Sequence, residues 1–404
     1  MNKNIKLAVA GAVLSLSAIS ANAGIIIPAG EWTLDINGNV NSFASYTKLK
    51  SGTDAGTSAM AAPRTAGDNG DKQIGLDSGL LPSWLGFTGK TRQNDLDVEF
   101  TISLQPSSSS NDTHGDGAND DATVVKKPFL NRQTYVSFGD KSWGSIKLGK
   151  DLGVFASDAI LNDMTLLGVG QGAGISGKST NTSNGGIGTG YIYAAWKSQI
   201  AYTTPNFNGF QATVALTNPD QGFNETGVNQ DRFGVEGKAS YSFAANDVAG
   251  KVWSSGASYD RSTTTTASHR VNVYDLGANL NAAGFGLTGY VYSGKGAGTT
   301  VLGGDGFITG TSTRRDSDGG YIQLTYVTPF KTKLGVAYGE SNLDNATVAD
   351  NTTVKSNDRI TVGAYHPLTK HLNIVAEYNN VESKGHNGAE AETRTVSGGA
   401  ILFF

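Results

Sequence analysis

From Leu96 to Leu104 every second residue is apolar, and the residues between them are Asp97, Glu99, Thr101 and Ser103. A strict period of two reads as a β-strand with one apolar and one polar face. The pattern returns at 211–217, 232–243, 321–327, 360–366 and 372–378. No amphipathic stripe of about 3.6 residues and comparable length follows residue 23. Sixteen strands are expected, near 33–47, 83–90, 95–105, 131–139, 143–150, 197–205, 209–217, 231–243, 248–260, 270–281, 284–294, 319–328, 331–341, 357–366, 371–382 and 393–404.

The connections sort by length. Tight turns fall at 91–94, 140–142, 206–208, 282–283 and 367–370, and between them lie long polar loops at 48–82, 106–130, 151–196, 218–230, 295–317, 342–356 and 383–392. Short turns at one end and long loops at the other are the pattern of a transmembrane barrel. In lipid every backbone N–H and C=O must be paired internally, so strands cross only as a closed barrel. A soluble sandwich could share the alternation, but it would not need this sorting of loops. The expected fold is therefore all-β, a 16-stranded antiparallel transmembrane barrel; a ring of that size encloses an aqueous channel. Glu99, Lys147, Arg232, Glu236, Lys238 and Glu377 fall opposite the apolar residues and are expected to face the lumen. Trp32, Tyr46, Trp143, Tyr259, Phe285 and Tyr378 lie near strand ends, as interfacial girdles require.

Residues 1–23 read as an address. Lys3 and Lys6 precede an apolar run at 7–20, and Ala21-Asn22-Ala23 supplies a small-residue cleavage site. The run is shorter than the ~20 residues that a membrane-spanning helix needs. A cleaved signal peptide at 1–23 and a single barrel domain at 24–404 are expected, with export through the periplasm to the bacterial outer membrane.

Composition removes several alternatives. The 404 residues contain no cysteine, which excludes disulfides, thiolate metal sites and a thiol nucleophile. The net charge of −4, without a basic block, gives no nucleic-acid surface. His366 and His371 flank a turn at a spacing that suits no helical zinc site. No G-x-S-x-G elbow occurs, and the glycine-rich 294–298 and 303–306 lack a following helix. The acidic loop around 111–121 could attract calcium, but it has no EF-hand pattern and reads first as a solvated loop. No catalytic residue, cofactor or metal site is expected.

The chain ends on Phe404 without a tail, in register with Val396, Ala400 and Leu402. Four further segments carry a resemblance: Trp-Leu-Gly-Phe-Thr-Gly at 84–89, Asn-Arg-Gln-Thr-Tyr-Val at 131–136, Trp-Gly-Ser-Ile-Lys-Leu-Gly-Lys at 143–150 and Tyr-Thr-Thr-Pro-Asn-Phe-Asn-Gly-Phe at 202–210. Over its whole mature length the sequence resembles the Gram-negative general porins. The resemblance implies a homotrimer of sixteen-stranded barrels, set among outer-membrane lipid and lipopolysaccharide, through which ions and small hydrophilic solutes diffuse. It implies a terminal aromatic, here Phe404, read by the barrel-assembly machinery. It also implies a third external loop, here 151–196, folded into the lumen, with a ladder of basic wall residues facing acidic loop residues. Arg132 and Lys150 occupy ladder positions, Lys147 lies on the same wall, and Asp158 and Asp163 are the loop's acids, with Asp151 at its start. Trp84, Asn39 and Ala195 stand where relatives often carry Lys or Arg, with Lys197 a nearby substitute. Parity around Arg132 is expected to turn Thr134 inward and Tyr135 outward. A substrate-specific channel is the alternative, to which Trp84, Tyr290 and Tyr292 would contribute an inward aromatic track; an adhesin or structural barrel is the third reading.

Overall fold

The computed structural model describes residues 24–50, 52–63, 71–106, 108, 130–172, 182–218, 228–229, 232–263, 268–308, 311–347 and 350–404. The leader at 1–23 and the acidic loop around 111–121 lie outside these residues. The strands are β1 (Ile25–Ala29), β2 (Trp32–Leu49), β3 (Lys72–Asp77), β4 (Trp84–Gln93), β5 (Leu96–Leu104), β6 (Thr134–Asp140), β7 (Gly144–Leu152), β8 (Trp196–Thr203), β9 (Phe210–Thr217) and β10 (Val228–Asn229). They continue as β11 (Gly234–Ala245), β12 (Val248–Thr263), β13 (Ser268–Ala282), β14 (Phe285–Lys295), β15 (Asp316–Val327), β16 (Lys333–Leu343), β17 (Val354–Pro367), β18 (Leu372–Gly385) and β19 (Glu390–Phe403).

These strands fill sixteen positions of one closed antiparallel sheet. β3 and β4 pair with successive stretches of β2, so they share a position that is interrupted at 78–83. β10 pairs beyond β11 along β12 and extends it. The ring closes where β19 meets β2, Thr393 opposite Leu49 through Phe403 opposite Asn39. β1 continues along the same edge of β2, with Ile25 opposite Ile36. The extra pieces escape a periodicity reading because β1 is a continuous apolar run and β3 is only six residues long. Two-residue turns suit the right-handed strand twist when both residues take positive φ. Asn94 and Asp95, at 48° and 63°, do so between β4 and β5.

The barrel is apolar outside and polar inside. Val336, Tyr338, Ile360, Val362, Tyr378 and Val396 are exposed, while Asn357, Thr361, Glu377, Asn379 and Thr395 on the alternate positions are buried. Such a surface is stable when lipid covers the apolar face. Tyr46, Trp143, Phe285 and Tyr378 lie exposed as expected of girdles, but Tyr259 is buried and turned inward, where its hydroxyl reaches Glu236. Its odd position in β12 shares the parity of buried Trp253 and Ala257, and that parity decides its direction.

The lumen and its lining

The polar side chains of the wall take up the backbone of the long segment between β7 and β8. That segment holds helix α1 (Ser157–Asn162) and a 3-10 turn at Met164–Leu167. Glu236 of β11 accepts hydrogen bonds from the N–H groups of Val154 (2.6 Å) and Phe155 (2.9 Å). Ala156 donates to Ser255 of β12 at 3.1 Å, and Met164 donates to Gln323 of β15 at 2.9 Å. Val169 (3.0 Å) and Gly170 (2.7 Å) donate to Glu377 of β18, and Gly190 donates to Ser341 of β16 at 2.9 Å. All the accepting side chains lie on the buried parity of their strands, which in a closed barrel is the lumen side. A loop backbone brought away from bulk water needs these acceptors.

Between this bonded segment and the wall a cavity of about 880 Å³ remains, lined from β2, β4, β7, β8, β9, β11 and β19. It runs from Met60 and Thr300 in the external segments to Thr203 and Thr213 near the 206–209 turn. Among the described residues, the charged side chains that line it are the cations Arg132, Lys147 and Lys238 and the carboxylate Asp151. The Arg132 guanidinium lies over the Trp196 ring, 5.9 Å from its centroid, with Nη1 3.4 Å from the Tyr193 hydroxyl. Lys147 pairs with Asp151, which also accepts from Gln133 at 3.0 Å, and its Nζ lies 4.6 Å from the centre of the Tyr135 ring. Lys238 reaches Asp158 at 2.9 Å and the Ser157 hydroxyl at 2.9 Å. An excess of fixed positive charge in a low-dielectric neck raises the local concentration of anions.

Arg132, Lys147, Trp84, Asn39 and Asp151 thus line one passage, and Lys150, Lys197, Asp158 and Asp163 are not part of its lining. Lys150 stands at the opposite parity from Lys147, cross-strand from Thr134 and Ser198, and its Nζ donates to the Asn131 carbonyl at 2.8 Å. Lys197 is fully buried in a pair with Glu236, and it also donates to Tyr259 at 2.9 Å. Asp158 is held between Lys238 and Lys251. Asp163 accepts from the Tyr191 hydroxyl at 2.8 Å and the Thr165 N–H at 2.9 Å, with Arg359 3.8 Å away. Asp158 therefore fastens the segment to the wall, while Asp163 bonds within the segment and has Arg359 of β17 at its side. Tyr290 and Tyr292 do face inward but are buried in the packed cluster that includes Phe155 and Ala159.

Thr134 and Tyr135 reverse the expected parity. Tyr135 points inward, its hydroxyl 3.1 Å from Glu99, and Thr134 pairs with exposed Ile102. The cause is local: residues 131–133 are not in the ladder, because the Ser103 side chain accepts from the Gln133 N–H and Asn131 donates to the Ser103 carbonyl. Arg132 faces the cavity from this irregular stretch, so strand alternation does not set its direction. Arg232 also departs from expectation. It precedes β11 and pairs with Asp260, to which Arg270 also bonds, on the parity of exposed Tyr274 and Leu276. Lys238, which no ladder position singled out, joins the lining because α1 begins beside it.

The profile of the Gram-negative porin family matches residues 8–386. No curated protein matches the chain. Among solved structures, the chain is similar to the outer membrane channel DcaP of Acinetobacter baumannii, at 14% identity and TM-score 0.68, covering 95% of this chain and 100% of that one. It is similar to the Salmonella typhi OmpF in complex with daunomycin, at 12% identity and TM-score 0.57, covering 94% and 100%. The trimer form of Vibrio cholerae OmpT gives 14% identity and TM-score 0.53, covering 92% and 99%. A closed sixteen-position barrel, a polar inner face and a family match over most of the chain agree: this protein belongs to the Gram-negative porins, outer-membrane channels for the passive diffusion of small solutes.

Proposed function

We propose that this porin is an anion-preferring diffusion channel whose neck lies between the 153–195 segment and the wall carrying Arg132 and Lys147. The observation that carries the reading is the passage that, among the described residues, is lined by three cationic side chains and one carboxylate. The chain acts after removal of residues 1–23 as a single 24–404 barrel, assembles as a homotrimer in contact with lipopolysaccharide, and catalyses no reaction. Family membership supports the trimer, and the terminal strand bonded to Gly38 through Phe404 supports recognition by the barrel-assembly machinery.

Reversal potentials in planar bilayers under a KCl gradient test the preference. The wild type should favour chloride, and Arg132→Ala should shift the potential toward potassium. The shift should be largest in dilute salt, where the screening length grows to ~30 Å at 0.01 M. An unchanged potential and step size in Arg132→Ala would remove Arg132 from the neck. Absence of conductance steps in the wild type would defeat the channel reading and favour an adhesin.

A further inference from the structure

β1 begins where the terminal strand runs out. Ile25–Ala29 and β19 lie on the same edge of β2, with Ile25 opposite Ile36 and Phe403 opposite Asn39. Gly24 therefore stands at the seam that closes the ring. On this stretch of β2, Asp35 shares the parity of Asn37 and Asn39, which line the passage. Its neighbours are already engaged. Of the two cations on β4, Lys90 pairs with Glu99 at 3.3 Å and Arg92 with Asp97 and Asp140. Thr88, opposite Asp35, bonds to Thr101 at 2.9 Å. Oδ1 of Asp35 is buried and has no hydrogen-bond partner among the described residues. A buried acceptor in that state is costly. What lies against it is Gly24, where a Cβ would overlap Oδ1 and stand 3.0 Å from Cγ.

We propose that the α-ammonium uncovered at Gly24 by removal of residues 1–23 is the counter-ion of Asp35, so that processing completes the seam. This deepens the reading of the mature chain as a 24–404 barrel and rests on it. Hydrolysis of the Ala23–Gly24 bond consumes one water and leaves the new carboxylate on Ala23 of the leader. The amine stays on Gly24 and is mostly protonated at pH 7, since an α-amino group titrates at about 7.7–8.0. That nitrogen is ~1.46 Å from the Cα against which Oδ1 lies. Three charged N–H donors then stand beside a carboxylate oxygen that lacks one, and a charged donor makes the stronger bond. In the unprocessed chain the same nitrogen is a neutral amide with a single hydrogen. Glycine suits the position, because a side chain on that side of the backbone would push the carboxylate away. The contact matters because all five residues of β1 are exposed. Burial does not hold this strand, so its attachment rests on its ladder with β2 and on the charge at its start.

The test compares two starts of the full barrel refolded in detergent micelles, one at Gly24 and one at Ala23. The second start moves the ammonium one residue away and leaves a neutral amide on Gly24. Each is made with Asp35 and with Asp35→Asn, and deuterium exchange is followed over residues 25–36. Retaining Ala23 should speed exchange roughly fivefold in the wild type, the effect of a partly exposed ion pair. With Asp35→Asn, exchange should be fast from either start, because the partner is gone. Should that variant fail to refold, Asp35→Ser carries the same comparison. Exchange that does not respond to Ala23 in the wild type would overturn the proposal. An equal response in the two backgrounds would also overturn it, by placing the partner of the ammonium elsewhere, the terminal carboxylate of Phe404 being another anion on that edge. The intact mass of the barrel taken from outer membranes reports on processing alone. A chain that begins at Gly24 upholds the premise, and any other start removes the premise and the proposal together while leaving KCl conductance as evidence for the channel.

Discussion

Replacing Glu377 by alanine tests how the inward segment is held. Glu377 is buried at 3% exposure and accepts from three donors: Val169 N–H, Gly170 N–H and the Tyr365 hydroxyl at 2.6 Å. Removing the carboxylate strips both backbone donors at once. A buried donor without an acceptor costs about 1–3 kcal/mol. Water from the adjoining lumen can enter the vacated space, so the lower end applies, about 2 kcal/mol for the two N–H groups together. At 1.4 kcal/mol per factor of ten, the local detached state around 168–171 rises roughly 30-fold. The other anchors, through Glu236, Ser255, Gln323 and Ser341, remain. Overall conductance should therefore persist with greater current noise, while the Val169 and Gly170 amides exchange roughly 30-fold faster with deuterium. A Cβ at Gly168 would lie 2.1 Å from Glu377 Oε1. Gly168→Ala should accordingly be disruptive in the wild type and close to neutral in the Glu377→Ala background, a coupling that a double-mutant cycle measures. Unchanged exchange at both amides, or equal effects of Gly168→Ala in the two backgrounds, would refute the clamp.

Lys197→Met should destabilise the barrel by about 3–5 kcal/mol in urea unfolding from micelles, because it leaves Glu236 charged and buried without its cation; a loss below 1 kcal/mol would mean that water reaches the pair. Outside the membrane, bidentate hydrogen bonds from Arg315 (both 2.6 Å) hold the Asp350 carboxyl below its ordinary range. With the folded value depressed, this contact stabilises the external loops above the unfolded carboxylate range and is lost as pH falls through the folded value. Protease cleavage at 344–353 should therefore rise only in that acid window and at all pH values in Asp350→Asn; an identical pH profile in the two proteins would count against it. Deleting Phe404 removes two backbone hydrogen bonds to Gly38 and a ring whose Cζ lies 2.8 Å from the place a Gly38 Cβ would take. The yield of heat-modifiable trimer in outer membranes should fall while export continues, and undiminished trimer would reject the assembly role.

Alternation made the wall readable because burial in lipid on one side and water on the other writes itself residue by residue. Leu96 to Leu104 and Leu372 to Tyr378 show this, and the strands found there keep the expected faces. What alternation cannot encode is which inward side chain remains open to the passage. Lys147 and Lys197 both face inward, yet Lys147 borders the cavity and Lys197 is sealed in an ion pair. The difference comes from contacts distant in sequence: Glu236 and Tyr259, one strand and two strands beyond β9, close over Lys197. The same holds for Asp158 and Asp163, whose acidity suggested a filter and whose partners Lys238, Lys251, Tyr191 and Arg359 keep them from it. Once these charges are spent on anchoring the segment, the carboxylate left in the passage among the described residues is Asp151. The proposed anion preference thus rests on how the loop is tied down. A change in an anchor such as Lys238, which lines the passage and also holds Asp158, should alter selectivity and loop stability together.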